Sequence, residues 1–306
     1  MRLILTLALA AAGMLPAQQR PRILGVSHAG LLVSDPAAAR AFYTQFFGYA
    51  QAFELKNDDG STLLWNIKVN DEQFIELFPG LKPGQDRLYQ VALRVENAEA
   101  MRAWLAARGY KAPDRVTKGR IGNLGFTVLD PDGHIIEFMQ YTPEGWTVRD
   151  KGKYLPAGRV SSRIGHLGFL VGDLAASTKF YADVLGFRET WRGGRDPSQL
   201  SWTNMQVPDG DDYVEFMLYK DLPPPDERGT ANHLCLEVAD IAKAQELLER
   251  SPYRKTYTRP LEIRTGLNRK RQMNLYDPDG TRVELMEPTT ADGKPAPWSN
   301  APPPKR

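Results

Sequence analysis

The two halves of this chain repeat one another along most of their length. Residues 26–35 read VSHAGLLVSD and residues 164–173 read IGHLGFLVGD, and a Phe-Tyr pair follows each stretch at the same distance. Farther along, a DPDG sequence ends four residues before Glu137, and another ends four residues before Glu284. A repeat of this extent predicts a duplicated architecture, in which the polar residues of the two halves can be compared position by position.

Composition limits the class of protein. The chain has 306 residues, of which 42% are hydrophobic and 25% charged, so it is long enough for two domains that each bury a core. A formal net charge of +2, without a basic stripe, argues against nucleic acid as a partner. The single cysteine, Cys235, excludes an intramolecular disulfide and leaves packing or metals to stabilise the fold.

The N-terminal segment differs from the rest of the chain. Residues 1–19 begin with a positive charge at Arg2, continue with an uncharged apolar run and reach small residues near a plausible cleavage point. This order is typical of a secretory signal peptide, although a frayed leader or a lipid-surface anchor would have a similar composition. The apolar run is too short to span a bilayer. We therefore expect an exported protein, periplasmic or secreted, with no stable membrane span.

Helix signals divide each half into two smaller units. In the first half, Asp35 can cap a helix, Pro36 suits its first turn and Gly48 supplies a left-handed stop. Asp173 and Gly186 bracket the matching helix of the second half. A strand precedes each such helix and three strands follow it, and the same plan recurs later in each half. The pattern predicts an α+β protein built from four strand-helix-strand-strand-strand (βαβββ) units, two per domain.

The domain boundaries follow from this plan. The first domain is predicted at residues 20–145 and the second at residues 163–288. Residues 146–162 are rich in Gly, Lys and Pro without sustained periodicity, which predicts a linker. Residues 289–306 contain five prolines and few apolar side chains, which predicts a disordered tail.

The strands of the second half place potential metal ligands on one face. Because side chains alternate along a strand, a polar residue between apolar neighbours points away from the core that they form. Four strands each carry one such residue: His166, Glu215, His233 and Glu284. Two imidazoles and two carboxylates inside a cup are costly unless a divalent metal balances the charge and uses their lone pairs. The pattern therefore favours a metal site, provided that the four strands converge.

The chain resembles the vicinal oxygen chelate superfamily, which includes glyoxalase I, extradiol ring-cleaving dioxygenases and bleomycin-resistance proteins. The resemblance is carried by the two histidine strands, the Phe-Tyr helices that end at glycine and the paired DPDG turns. It implies two tandem domains whose mixed sheets curl into cups, with one metal ligand from each of four strands. In the second half these ligands would be His166, Glu215, His233 and Glu284, a set like that of bacterial glyoxalase I. The equivalent positions of the first half are His28, Glu76, Gln90 and Glu137.

The resemblance leaves two alternatives open. Glutamine is a weaker, neutral ligand, so the first-half set is either a second, looser metal site or a polar pocket without metal. Units of the two halves can also pair crosswise in this superfamily, which would exchange two residues between the sets. His233 and Glu284 belong to the complete set in either pairing.

The complete set predicts metal-dependent chemistry. A divalent ion (Ni, Co, Zn, Mn or Fe) with open water positions can bind adjacent oxygens of a substrate and stabilise an enediolate. By resemblance to glyoxalase I, Glu284 is the expected base that moves the proton, with Glu215 as the alternative. The expected function is a metal-dependent isomerase or lyase that acts on a small oxygenated molecule.

Two other functions fit part of the pattern. His166, His233 and Glu284 could form the iron triad of an extradiol dioxygenase, but Glu215 would occupy a position that oxygen or catechol needs. Asn274 also stands where those enzymes carry a tyrosine. A metal-free cup would instead sequester a small molecule, as bleomycin-resistance proteins do, although these typically lack the full ligand set. In each case we expect a small-molecule partner and a monomer or homodimer.

Overall fold

Two eight-stranded sheets, one in each half of the chain, make up the computed structural model, which describes residues 19–305. The predicted signal peptide, residues 1–19, lies outside the described residues except for Gln19, so export stays a prediction. Among the helices of the described part, none is long and apolar enough to cross a membrane.

The first sheet is mixed and curls into a half-barrel. Its strands are, in chain order, β1 (Ile23–Val33), β2 (Ala50–Lys56), β3 (Thr62–Lys68), β4 (Phe74–Pro79), β5 (Leu88–Val95), β6 (Thr117–Lys118), β7 (Leu124–Leu129) and β8 (Ile135–Gln140). Their order across the sheet is β2-β3-β4-β1-β5-β8-β7-β6.

The second sheet repeats this arrangement. Its strands are β9 (Arg163–Val171), β10 (Arg188–Gly193), β11 (Trp202–Gln206), β12 (Tyr213–Leu218), β13 (His233–Glu237), β14 (Arg264–Thr265), β15 (Lys270–Tyr276) and β16 (Arg282–Thr290). Their order, β10-β11-β12-β9-β13-β16-β15-β14, matches the first sheet strand for strand.

Short helices connect these strands. They are α1 (Pro36–Ala41), α2 (Ala98–Ala106), α3 (Trp146–Arg149), α4 (Leu174–Thr178) and α5 (Ile241–Arg250). Helices α1 and α4 continue as π-helical turns over Phe42–Phe46 and Lys179–Val184, and 3₁₀-helices cover Pro225–Thr230 and Pro252–Lys255.

Local sequence signals set the ends of α1 and α4. The side chains of Asp35 and Asp173 each accept a hydrogen bond of 3.0 Å from the backbone N–H three residues later, which satisfies one free donor at each helix start. Gly48 and Gly186 follow with φ of 74° and 79°, where a side chain would be strained. The predicted start and stop of both helices are therefore confirmed.

The two units of each half pair with one another. Strand β1 runs antiparallel to β5, while β4 is parallel to β1 and β8 is parallel to β5. Strands β9, β13, β12 and β16 repeat this pattern. The crosswise pairing that the sequence left open is not the one found, and the predicted fold class of four βαβββ units in two tandem curled sheets is confirmed.

One hydrophobic core runs through both halves. The ring centroid of Phe46 lies 4.8 Å from that of Tyr257, and the indole N–H of Trp104 donates a 2.9 Å hydrogen bond to the carbonyl oxygen of Val184. Because the apolar face of each sheet packs on this shared core, the opposite, concave faces are left to carry polar groups.

The segment predicted as a linker contains a short helix that packs against the first sheet. Helix α3 begins at residue 146, and its Trp146 ring packs edge-on against Phe53 of β2 with the centroids 4.5 Å apart. The backbone N–H of Trp146 also donates a 2.7 Å hydrogen bond to the carbonyl oxygen of Ile121. This part of the linker therefore packs against the concave face of the first sheet at β2.

The C-terminal segment lies against the second sheet, which differs from the expected disordered tail. Strand β16 continues to Thr290, two residues beyond the predicted domain boundary. Residues 291–305 contain no helix or strand, but the indole N–H of Trp191 donates to the carbonyl oxygen of Pro297 at 2.8 Å. The backbone N–H of Leu200 likewise donates to the carbonyl oxygen of Pro302 at 2.9 Å. Composition could not reveal these contacts, because the partners are about a hundred residues away.

Candidate metal centre

The four central strands of the second sheet carry the four predicted ligands. Across the sheet these are Glu215 on β12, His166 on β9, His233 on β13 and Glu284 on β16. At most 11% of any of these side chains is exposed. The ring of Tyr213 stacks on His166 with the centroids 4.4 Å apart, which fixes the orientation of the imidazole.

The structure brings these side chains together. The Nε2 atoms of His166 and His233 are 3.0 Å apart, and Oε2 of Glu284 lies 3.4 Å from the first and 3.8 Å from the second. One ligand atom from each of these three residues falls within 4.8 Å of the others. Two imidazoles and a carboxylate converging in this way suit a divalent transition metal. Glu215 stands at the edge of the group, with Oε2 at 3.4 Å from Nε2 of His233.

Two neighbouring groups compete for Nδ1 of His233. Its Nδ1 atom lies 2.8 Å from the carbonyl oxygen of Ala231 and 2.6 Å from Nη2 of Arg282. Because Nδ1 either donates or accepts, only one of these contacts can be a hydrogen bond. Donation to Ala231 leaves the lone pair on Nε2 free for a metal, which is how metal-bound histidines are commonly held. Burial and then the positive charge of Arg282 lower the pKa of His233 well below its usual value.

The two glutamates have opposite electrostatic environments. Burial is the largest influence on Glu284 and would raise its pKa, but His166 and Arg282 together outweigh it and hold this pKa at about 2. Burial raises the pKa of Glu215. The charge of His166 opposes this shift only in part, and the charge of Glu284 adds to it. Glu284 is therefore a carboxylate at neutral pH, while Glu215 is the more easily protonated of the two.

The first-half residues also meet on the matching strands, but an amide lies at their centre. The Nε2 atom of Gln90 lies 2.8 Å from Nε2 of His28, 3.1 Å from Oε2 of Glu137 and 3.4 Å from Oε2 of Glu76. In this orientation Gln90 presents hydrogen-bond donors, which do not bind metals. Burial raises the pKa of Glu76 to about 7, and the two glutamates raise the pKa of His28 despite its burial. These four groups thus satisfy one another with hydrogen bonds.

A cavity of about 380 Å³ opens beside Glu215 and Glu284 in the second half. Three arginines and two indoles form much of its wall: Arg195, Arg264, Arg282, Trp191 and Trp202. An adjoining cavity of about 510 Å³ shares Trp191 with it and is bordered on one side by the tail residues Pro295, Ala296 and Trp298.

Sequence reasoning did not identify the three arginines of this wall. Arg282 precedes Glu284 by two residues on β16, so the alternation rule places both side chains on one face and could have found it. Arg195 lies in the loop after β10 and Arg264 in the two-residue strand β14, where no periodicity marks their direction.

Comparison with known proteins agrees with this architecture. The model of the Glyoxalase/Bleomycin resistance protein/Dioxygenase superfamily matches residues 25–138 and again residues 163–285, which together make up more than half of the chain. The chain belongs to this superfamily. The two matched segments coincide with the two sheets, so each half is a separate copy of the superfamily domain.

Individual superfamily relatives come from two classes of enzyme. The chain is 25% identical over 204 residues to glyoxalase I of Saccharomyces cerevisiae and 26% identical over 186 residues to metapyrocatechase of Geobacillus stearothermophilus. These matches cover 56% and 55% of this chain, and the chain spans only 59% and 53% of the two relatives. The structure of an extradiol ring-cleaving dioxygenase from B. fuscum superposes with a TM-score of 0.65 at 20% identity, covering 94% of this chain and 78% of that one. The last similarity shows the fold alone.

Proposed function

We propose that this protein is a metal-dependent enzyme that moves a proton on a small oxygenated substrate, as a glyoxalase-like isomerase or lyase. The observation that carries the proposal is the convergence of His166, His233 and Glu284 within 4.8 Å, with the Glu215 carboxylate beside them. The similarity to glyoxalase I supports the reaction class.

His166, His233 and Glu284 would hold the metal ion. Their lone pairs converge, and the hydrogen bond from His233 to Ala231 directs the Nε2 lone pair of His233 into the site. A bound divalent ion would withdraw electron density from two adjacent oxygens of the substrate and so acidify the neighbouring C–H. The buried surroundings would strengthen this effect by excluding water.

Glu215 would be the base. We assign the proton transfer to Glu215 rather than to Glu284, because Glu284 is one of the three closest ligand groups and Glu215 lies outside them. Glu215 also lines the cavity in which a substrate would lie. Its carboxylate would take the proton from the hydroxyl-bearing carbon and return it to the neighbouring carbonyl carbon. The isomerisation is complete when the hydroxyl proton has also passed to the former carbonyl oxygen.

The metal content and Glu215→Gln test this proposal together. Purified protein should contain about one divalent ion per chain by mass spectrometry, and Glu215→Gln should keep it. The variant should lower the rate of solvent-deuterium exchange into small α-hydroxycarbonyl compounds by about 10²–10⁴-fold, because general base catalysis is worth that much. Glu76→Gln is the matched change in the first half and should leave both the metal content and the rate of deuterium exchange unchanged.

Two results would contradict the proposal. Protein that stays metal-free after incubation with nickel, cobalt, zinc, manganese and ferrous salts would favour a binding module over either enzyme. Exchange at the wild-type rate in Glu215→Gln would remove Glu215 from the mechanism.

The second candidate is an extradiol-type dioxygenase. It is favoured by the closeness of only three groups, two imidazoles and one carboxylate, which is the ligand set of many non-haem iron oxygenases. The metapyrocatechase similarity supports the same reaction class. Iron in the purified protein, together with oxygen consumption on adding catechol, would establish this reaction in place of proton transfer.

A further inference from the structure

We propose that the substrate of the second-half site carries an anionic group, which is bound by Arg195 and Arg282. This inference rests on the proposed function, because it assumes that the cavity beside Glu215 and Glu284 is the substrate pocket. It narrows the substrate class to small hydroxylated organic acids.

The charge balance of the cavity is the first argument. Glu215 and Glu284 bring two negative charges, which a divalent ion would cancel. Of the three arginines of the wall, Arg264 is ion-paired with Glu262, so Arg195 and Arg282 then leave an excess of positive charge. A concave, partly desolvated site with such an excess favours an anionic ligand.

Two of these arginines have no carboxylate partner and keep guanidinium donors available to a ligand. Arg264 is ion-paired with Glu262, whereas Arg195 and Arg282 have no carboxylate within 4.0 Å anywhere in residues 19–305. The Nε atom of Arg282 is buried and has no hydrogen-bond partner among the described residues. A buried guanidinium donor without a partner is costly, and a carboxylate that binds a guanidinium through two oxygens would satisfy it.

The remaining walls suit a flat molecule with hydroxyl groups. The guanidinium of Arg195 lies 5.7 Å from the centroid of the Trp202 ring, so a cation and an indole are presented side by side. Asn274 faces Glu284 across the β15–β16 pair, and its Oδ1 atom is buried without a partner in the described chain. This amide oxygen would accept a hydrogen bond from a substrate hydroxyl. A volume of about 380 Å³ is within the usual range for a small-ligand pocket.

The first half lacks these features. Ile135 stands two residues before Glu137, where the second half has Arg282 before Glu284. Thr117 of β6 takes the place of Arg264 of β14. The cavity beside Glu137 is smaller, about 260 Å³, and has one arginine in its wall, Arg115. The excess of positive charge therefore belongs to the half in which the metal ligands are complete.

The test compares two probes that differ only in a carboxylate. Catechol and 3,4-dihydroxybenzoate offer a metal the same pair of adjacent oxygens, and only the second carries an anionic group away from them. We expect calorimetry on the zinc-loaded protein to give at least a tenfold lower Kd for 3,4-dihydroxybenzoate than for catechol. Arg195→Gln should remove most of this preference while leaving the catechol Kd and the zinc content unchanged.

Arg282→Gln and Arg115→Gln complete the comparison. Arg282→Gln should also reduce the preference, and its zinc content must be measured because Arg282 contacts His233. Arg115→Gln changes the arginine of the first-half cavity and should have no effect. Equal affinity for the two probes, or a preference that survives in both Arg195→Gln and Arg282→Gln, would overturn this inference alone. Failure of the zinc-loaded protein to bind either probe would overturn the proposed function and this inference with it.

Discussion

The two halves differ more in what fills their cups than in how the cups are built. Both use the same strand order and place four polar side chains on the same central strands. In the first half the amide of Gln90 occupies the meeting point and Trp146 packs against the concave face at β2. In the second half two imidazoles and a carboxylate converge beside an open cavity. The scaffold therefore fixes where polar side chains meet, and single residues decide which chemical groups are found there.

The largest expected difference between the halves is in metal content. His233→Ala should reduce the bound metal from about one ion per chain to almost none, because it removes one of three converging ligands. His28→Ala, at the histidine of the other half, should leave the metal content unchanged. Mass spectrometry of dialysed protein measures both variants. Full metal retention in His233→Ala would show that the metal is not bound by the second-half histidines and that the two halves do not differ in this way.

Gln90→His should sharpen the comparison by giving the first half a metal site. The variant replaces an amide that donates hydrogen bonds with an imidazole that can present a lone pair to the point where His28, Glu76 and Glu137 meet. The metal content should rise from about one ion to about two per chain. Gln90→Leu is the matched control and should add none, because leucine has no ligand atom. An unchanged metal content in Gln90→His would mean that the expected difference in metal binding between the two cups depends on more than this one residue.

A smaller difference is expected at the two DPDG turns. Burial is the largest influence on Asp277 and raises its pKa to about 7. Hydrogen bonds from the backbone N–H groups of Thr281 and Asp279 oppose this shift only in part. A carboxyl group whose pKa is higher in the folded state binds more protons when folded, so the contribution of Asp277 to the free energy of unfolding should fall as the pH rises from about 4 to 7. Asp277→Asn should abolish this loss and be more stable at pH 7 and above, by up to about 4 kcal/mol in urea unfolding.

Asp130, the equivalent residue of the first half, provides the control. Its Oδ2 atom lies 2.9 Å from Nδ1 of His134 and accepts a 3.1 Å hydrogen bond from the Tyr181 hydroxyl. Asp130→Asn should therefore lose favourable contacts and be less stable than wild type at every pH. A stability gain in Asp130→Asn, or none in Asp277→Asn above pH 7, would contradict the difference between the turns.

Sequence reasoning succeeded where a local rule applied. The caps at Asp35 and Asp173 and the glycine stops are short-range features, and the alternation of side chains along a strand placed each polar ligand opposite its apolar neighbours. The duplicated motifs then allowed the halves to be compared residue by residue. These rules were sufficient for the four βαβββ units and for the polar side chains that face away from the core. The resemblance to the superfamily supplied the curled sheets and the convergence of the ligand strands.

The features that sequence reasoning missed depend on contacts between distant residues. Trp146 packs on Phe53, and the C-terminal segment is hydrogen-bonded to Trp191. Neither the predicted linker nor the C-terminal segment has a periodic pattern that would have predicted these contacts. The identity of Gln90 was visible, but the position of its amide among three partners was not. The pairing of units also required the register of β1 with β5.

The C-terminal segment has a consequence for the integrity of the second-half cavities. Pro295, Ala296 and Trp298 form part of the wall of the larger cavity, and the carbonyl oxygen of Pro297 accepts a hydrogen bond from Trp191, which also borders the smaller one. A stretch without helix or strand, 106 residues along the chain from the indole that holds it, thus completes this wall. Deleting residues 295–305 would open the larger cavity on this side and uncover the indole of Trp191.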